Sequence, residues 1–337
     1  MNAAGASVPL GRSGVSVSRI GLGTAPLGGL FTPVSDAAAA ETLAAAWDAG
    51  VRYFDTAPHY GLGVAERRLG AFLADRPRAE VVVSTKVGRL LRPGHSPAGT
   101  DGFHGVPTDL TRVWDFSAAG VRASLTESLE RSGLDAFDLV LLHDPDDHGE
   151  QALAEAYPAL AELRAEGVVR AVGAGMNQTA ALSRLVTATD LDFVLVAGRY
   201  SLLDRSAAEA LLPACAARGV GVLVGGVFNS GLLVAPRAGA TFDYAPAPAP
   251  LLARARRLAA RCAEFGVPLP AAAIQFPLRH PTVSGVLLGA RDGREVTENM
   301  AHAAVEIPEE LWRELDALAA DDRTDDQADG NGDGGTA

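Results

Sequence analysis

Four residues of this chain have the types needed to move a proton and hold a reacting oxygen: Asp55, Tyr60, Lys86 and His143. A free phenol has a pKa of about 10 and is a poor base near neutrality. A neighbouring ammonium favours the phenolate and lowers that value. Lys86 can supply the ammonium, Asp55 can pair with Lys86 and fix its position, and His143 can hydrogen-bond and orient a substrate oxygen. Taken singly, each residue has a plainer reading. Asp55 and Lys86 could be an ion pair at strand ends, Tyr60 a surface phenol and His143 a satisfied strand-end imidazole. Their joint placement is what favours chemistry.

That placement comes from three segments, VRYFDTAPHYGLG (51–63), AEVVVSTKVG (79–88) and FDLVLLHDPD (137–146). Each is a short apolar run that empties into polar, Gly or Pro residues, as a strand buried on both faces does. In a parallel α/β barrel the carboxyl ends of different strands converge on one mouth, so residues far apart in sequence meet there. Strands and Ala/Leu-rich helices alternate eight times along the chain, the pattern of βα units. The expected strands are 20–24, 53–55, 81–86, 139–143, 169–174, 193–196, 220–224 and 283–288. Helices are expected at 36–49, 117–132, 151–166 and 251–265, several opened by Ser, Asp or Thr in the capping position. The fold class is therefore α/β, a (β/α)8 barrel over residues 1–320. Residues 8–19 read as a hairpin that plugs the barrel floor, with Arg12, Ser13 and Gly14 as its turn. The segment 88–115 is long enough to be an active-site loop. A second long loop, 229–250, ends in APAPAP, which suits an extended strap across the mouth.

Composition narrows the partners. A net charge of −12 argues against nucleic acid, which needs clustered Lys and Arg. The chain has no apolar span of about 20 residues, so no membrane span is expected. The N-terminus lacks a basic start and an apolar stretch, which points to the cytoplasm. Cys215 and Cys262 read as small core residues. Residues 321–337 carry six Asp against one Arg and much Gly, and are expected to form a disordered acidic tail. No pair of histidines has helical ligand spacing, so no metal site is expected. The oligomeric state is not legible.

FDTAPHYG followed by AERRLG, STKVG, LLHDPD and GARDGREVTENM resembles the aldo-keto reductase superfamily over residues 8 to about 318. The resemblance implies a (β/α)8 barrel with Asp55, Tyr60, Lys86 and His143 as catalytic tetrad. It also implies a nicotinamide cofactor lying extended across the strand ends, in keeping with the absence of G-x-G-x-x-G after the first strand. HYGLGVAERRLG, RVWDFSAAGVRASLTESLERSGLD, VGAGMNQ and VLVGGVFNSGLL are similar to a sugar-oxidising branch, the D-threo-aldose 1-dehydrogenases, and to a related pyridoxal 4-dehydrogenase. The implied reaction transfers hydride from C1 of an aldose such as L-fucose to NAD or NADP, giving a lactone. The implied cofactor contacts are Gly23, Thr24 and Asp55 at the first strands and Asn177, the candidate for the carboxamide. Further contacts are Gly226, Phe228, Asn229 and Ser230 in the seventh loop, and Gly289, Ala290, Arg291, Glu295, Glu298 and Asn299 after the last strand. The chain departs from the family pattern at Ala197, where a glutamine is usual, and at Gly225, where an aromatic ring is usual. Phe228 is the replacement expected to pack on the nicotinamide.

Where NADPH-dependent relatives carry a basic residue near the 2′-phosphate, this chain has Glu295. A carboxylate about 4 Å from a phosphate charge is repelled by roughly 1 to 4 kcal/mol across water-like to near-surface screening, so NAD is expected in preference to NADP. Arg291 is the cation that works against this preference. On the substrate side His59, Trp114 and Phe116 are expected first, with His95, Phe103 and His104 as further candidates. Three rivals remain open: a pyridoxal oxidation or general carbonyl reduction at the same tetrad, a binding protein that senses nicotinamide without turnover, and a metal-dependent barrel hydrolase.

Overall fold

The computed structural model describes residues 5–97 and 99–330. Eight strands form a closed barrel: β1 (Ile20–Gly23), β2 (Tyr53–Asp55), β3 (Val82–Val87), β4 (Leu139–His143), β5 (Ala171–Met176), β6 (Phe193–Ala197), β7 (Gly221–Gly225) and β8 (Val283–Gly289). Every neighbouring pair is parallel and consecutive, with β8 pairing β1 to close the ring. Burial on both faces explains the run LVLLH in β4, all five residues of which are buried. Helix starts follow their caps: Ser35 accepts from the Ala38 amide before Asp36–Asp48, and Ser117 from Gly120 before Ala118–Ser132.

Alternation along each strand divides the core in two. Side chains facing out pack under the helices, as Val83, Val87, Val140 and Leu142 do. Side chains facing in fill the lumen: Tyr53, Leu139, Leu141, Phe193, Leu195, Leu223 and Leu287, joined from below by Leu10, Val15 and Val17. Those last three belong to the expected hairpin, in which Ser7–Pro9 pairs antiparallel with Ser16–Ser18. The hairpin closes the floor.

Three segments differ from the sequence reading. The single helix expected over 151–166 is interrupted by a π-helical turn, Ala152–Ala156, ahead of Tyr157–Ala165. Pro158 has no amide to donate into the preceding turn, and the wider turn accommodates that loss. The loop 88–115 contains its own hairpin, Arg89–Pro93 paired with Leu110–Trp114. In the loop 229–250, Thr241–Phe242 pairs with Ala245–Pro246, and Tyr244 stacks on Phe31 of the first βα loop with ring centroids 5.6 Å apart. The APAPAP run does not cross the mouth as one strap. Pro248 caps, and Pro250 enters, the first turn of helix Ala249–Glu264, where a missing amide costs nothing.

The last helix is Glu309–Gly330. Of the acidic segment expected to be disordered, the backbone to Gly330 continues this helix, and residues 331–337 lie outside the described residues. No helix among the described residues is long and apolar enough to cross a membrane.

Candidate active site

The ends of β2, β3 and β4 bring Asp55, Lys86 and His143 to the carboxyl mouth of the barrel, all three buried. Tyr60 arrives from the turn after β2. That turn packs directly on the first βα loop: a Cβ on Gly28 would sit 2.7 Å from the Tyr60 carbonyl carbon, and one on Gly61, at φ +63°, 2.3 Å from the Gly28 oxygen. Only glycine permits this approach, and it aims the phenol down toward Lys86.

The resulting chain of contacts is short. Lys86 Nζ donates to Asp55 Oδ2 at 2.5 Å, to Tyr60 Oη at 2.9 Å and to the Thr56 carbonyl at 3.2 Å. The Ser84 hydroxyl donates to Asp55 Oδ1 at 2.7 Å and lies 3.0 Å from the Tyr53 hydroxyl. The Tyr60 ring stands edge-on to His143, with centroids 5.8 Å apart, and stacks on Phe103 at 6.3 Å. His59 meets both His143 and Phe103 edge-on, at 5.5 and 5.2 Å.

Electrostatics set the resting protonation. Burial disfavours the Lys86 ammonium, but Asp55 and Tyr60 together outweigh burial and leave its pKa above the ordinary value. Burial pushes the Tyr60 phenol up to about 12 even though Lys86 pulls it down. Lys86 thus acts in the direction the sequence reading expects, but it does not bring the phenol down to neutrality. The ammonium is held by Asp55 as well, and desolvation of the phenolate is the larger effect. His143 falls well below its usual value through burial and then the cations Arg89 and Lys86, and His59 falls to about 2 for the same kinds of reason. Both imidazoles are neutral, so either can offer one ring N–H and one lone pair.

Among the described residues, buried polar atoms without a partner gather here: Thr56 Oγ1, His59 Nδ1, Arg89 Nε, Arg112 Nε, His143 Nδ1 and, in the seventh loop, Asn229 Oδ1. Buried polar groups are nearly always hydrogen-bonded. A mouth that leaves several unpaired fits a polar ligand.

The other sequence candidates divide. Trp114 stands at the rim, 46% exposed, with the Arg89 guanidinium 5.4 Å from its ring centre. Phe116 does not line the mouth: it is fully buried in the outer core, where its ring lies so close to Gly88 that a Cβ there would approach it to 2.2 Å. Thr24 is also fully buried, and its hydroxyl and amide both donate to the Asp55 carbonyl, so it braces Asp55 from behind. Phe228 packs against the outer core, and the side-chain amide of Asn229 donates to the Gly198 carbonyl at 3.1 Å. Gly23, Asn177, Gly226 and Gly289 lie at or just past strand ends on the mouth side, Ser230 follows in the seventh loop, and Ala290 is buried in the outer core. Arg291 and Glu295 hold one another: the Arg291 amide donates to Glu295 Oε2 at 2.8 Å and its guanidinium to Oε1. Glu298 pairs with Arg294 at 3.0 Å, and Asn299 is buried. Sequence reading missed Ser84, Arg89, Arg112 and Asp144 as members of the site. Ser84 and Asp144 had a signal, since Ser84 is two residues before Lys86 on the same face of its strand and Asp144 follows His143 directly; the arginines sit in what read as an irregular loop.

A parallel barrel whose mouth joins a carboxylate, a lysine, a tyrosine and a histidine is the framework of a nicotinamide-dependent oxidoreductase. The chain belongs to the Aldo/keto reductase family, which matches residues 19–320. A D-threo-aldose 1-dehydrogenase from a Pseudomonas species is 51% identical over 311 residues, covering 90% of this chain and 94% of that protein. A pyridoxal 4-dehydrogenase from Microbacterium luteolum is 42% identical, covering 91% and 95%. The solved aldo-keto reductase from Bacillus halodurans is 24% identical and superposes with a TM-score of 0.73 over 93% of this chain and 95% of that one, which speaks for the fold.

Proposed function

We propose that this protein oxidises a cyclic aldose, L-fucose among the candidates, at C1 to a lactone with NAD as the preferred acceptor. The observation that carries the reading is the unbroken contact chain Asp55–Lys86–Tyr60 opening beside His143. The 51% identical aldose dehydrogenase supports the substrate class. When bound, the nicotinamide supplies the hydride acceptor. Tyr60 takes the proton of the anomeric hydroxyl, Lys86 stabilises the phenolate so formed, and Asp55 holds Lys86 in place. Neutral His143 orients the reacting oxygen. With a phenol pKa near 12, Tyr60 is an acid at rest, so the reverse reduction is available at neutral pH and the oxidation gains as pH rises.

The preference for NAD rests on the Arg291–Glu295 pair. A 2′-phosphate would have to compete with a carboxylate that already holds the guanidinium and amide of Arg291. The free, buried thiols of Cys215 and Cys262 suit a reducing cytoplasm. Oxidation of pyridoxal is the second reading, favoured by the Phe103 ring stacked on Tyr60 and the exposed Trp114 ring beside Arg89 at the rim.

The test is an absorbance screen at the NADH band with NAD or NADP against L-fucose, D-arabinose, L-galactose, D-glucose and pyridoxal. Reduction of NAD by one or more of the sugars is expected. Reduction by pyridoxal alone moves the assignment to the second reading, and the absence of reduction with every sugar defeats the first.

A further inference from the structure

Two arginines enter the mouth from the hairpin after β3, and they are employed differently. Arg112, nearly fully buried, pairs with Asp101 at 2.9 Å and donates to the His59 carbonyl at 3.1 Å. Its terminal nitrogens are engaged within the loop and it braces His59, although its Nε, like that of Arg89, is buried without a partner. Arg89 leaves β3 three residues after Lys86 and pairs with Asp144, which follows His143 directly. The two side chains are 11% and 28% exposed, so the pair faces the mouth rather than bulk water.

Four features distinguish the Arg89–Asp144 pair from an ordinary surface ion pair. Its bonding capacity is incomplete: Arg89 Nε is buried without a partner, and Asp144 Oδ1 makes no hydrogen bond among the described residues. Its position is adjacent to the chemistry, with Asp144 Oδ2 3.7 Å from His143 Nε2. Its backbone is specialised: Asp144 has φ +41°, in the left-handed region that side chains other than Asn and Asp seldom adopt, held by its amide donating to the Gly175 carbonyl at 3.0 Å. Strained residues of this kind gather where a side chain must be aimed at a ligand. Finally, Arg89 is cross-strand partner to Trp114, whose exposed face lies against the guanidinium. An aromatic plane beside a carboxylate and a guanidinium offers an apolar surface for C–H bonds together with acceptors and donors for hydroxyl groups.

We propose that Arg89 and Asp144 form a hydroxyl-reading fork that selects substrates carrying neighbouring hydroxyl groups beside the reacting carbon. The carboxylate accepts from one hydroxyl through Oδ1, and a terminal N–H of the Arg89 guanidinium donates to the next, while the buried Nε–H keeps the group poorly solvated. The inference rests on the aldose reading above and names which residues of the mouth decide it. A buried donor left unpaired by a hydroxyl-free substrate costs affinity, so the fork rejects such molecules as well as attracting sugars.

The experiment compares kcat and KM for D-arabinose oxidation with those for reduction of benzaldehyde, a hydroxyl-free carbonyl that uses the same tetrad. Asp144→Asn is the first variant. Asparagine tolerates the same left-handed backbone, so the fold is preserved. Arg89→Lys is the second, keeping the positive charge while removing the planar fork. In both, KM for the sugar should rise tenfold or more, and the ratio of kcat/KM for sugar over benzaldehyde should fall by a similar factor. A ratio that holds in both variants overturns the fork. So does a displaced pH–rate profile with an unchanged ratio, because Asp144 and Arg89 would then act through Tyr60 or His143. Failure of the aldose reading shows separately and earlier: the unmodified protein would reduce benzaldehyde and oxidise none of the sugars.

Discussion

The floor and the mouth of this barrel are built from alternate ends of the same strands, and they treat polar atoms in opposite ways. At the floor, Leu10, Val15 and Val17 of the hairpin meet Leu139, Phe193 and other apolar side chains in the lumen. At the mouth, buried donors and acceptors are left unpaired. The border between them is one polar contact chain, Tyr53 to Ser84 to Asp55. Below it, among the described residues, the lumen is lined by apolar side chains and no lumen-facing polar atom is left without a partner; above it several are. The lower half therefore carries stability, and the upper half carries chemistry at some cost to stability.

The largest effect should come from Tyr60→Phe. It removes the transferable proton but almost no contact area, so turnover should fall by about 10² to 10⁴-fold. Dinucleotide affinity, followed by fluorescence titration, should stay close to that of the parent. Near-parental turnover would remove Tyr60 from the mechanism.

The complementary change at the floor is Leu139→Ala, which opens a cavity in the lumen and should lower unfolding free energy by about 2 to 5 kcal/mol in urea titrations. Turnover measured well below the midpoint should be little altered. A large loss of turnover in the folded variant would show that the two halves are not separable.

Lys86→Met sharpens the boundary itself. The phenol is already pushed up to about 12 by burial, and the ammonium is the main group pulling it down. Removing it raises the phenol pKa further, so less phenolate exists at any given pH. The rise of oxidation rate with pH should accordingly begin at a higher pH in the variant. An unmoved limb in a residually active variant would place Lys86 in another role.

The smallest effect concerns the periphery. Glu295→Arg frees Arg291 and adds a second cation, so NADP use should improve relative to NAD, mainly through KM. Each step of about 1.4 kcal/mol is a tenfold change in preference. If the parent already prefers NADP, the role given to Glu295 is wrong.

Much of this was legible because burial on both faces leaves a plain mark. All eight barrel strands stand within about three residues of the apolar runs that announced them. Asp55, Lys86 and His143 could be placed because each closes such a run. What escaped notice depends on which way a side chain turns outside regular elements. Phe116 borders a polar loop in sequence yet turns inward, because Gly88 leaves room for its ring. Arg89 and Asp144 are 55 residues apart and carry no shared period, so nothing in the sequence pairs them. The phenol pKa needed three dimensions as well, since desolvation depends on neighbours that spacing does not reveal.

Strand β3 has a consequence for how the barrel closes. On its inner face Ser84 and Lys86 meet Asp55; on its outer face Thr85 donates to the buried Glu66, which Arg131 neutralises across the helix layer. Side chains alternate strictly along a strand, so slipping this one by a single residue would drive Lys86 into the apolar layer and bring Thr85 into the lumen. Asp55 would lose both Ser84 and Lys86, and Glu66 would lose the Thr85 hydroxyl and keep only Arg131. The buried Asp55–Lys86 pair at the mouth thus also favours the one register in which the barrel closes with its charges paired.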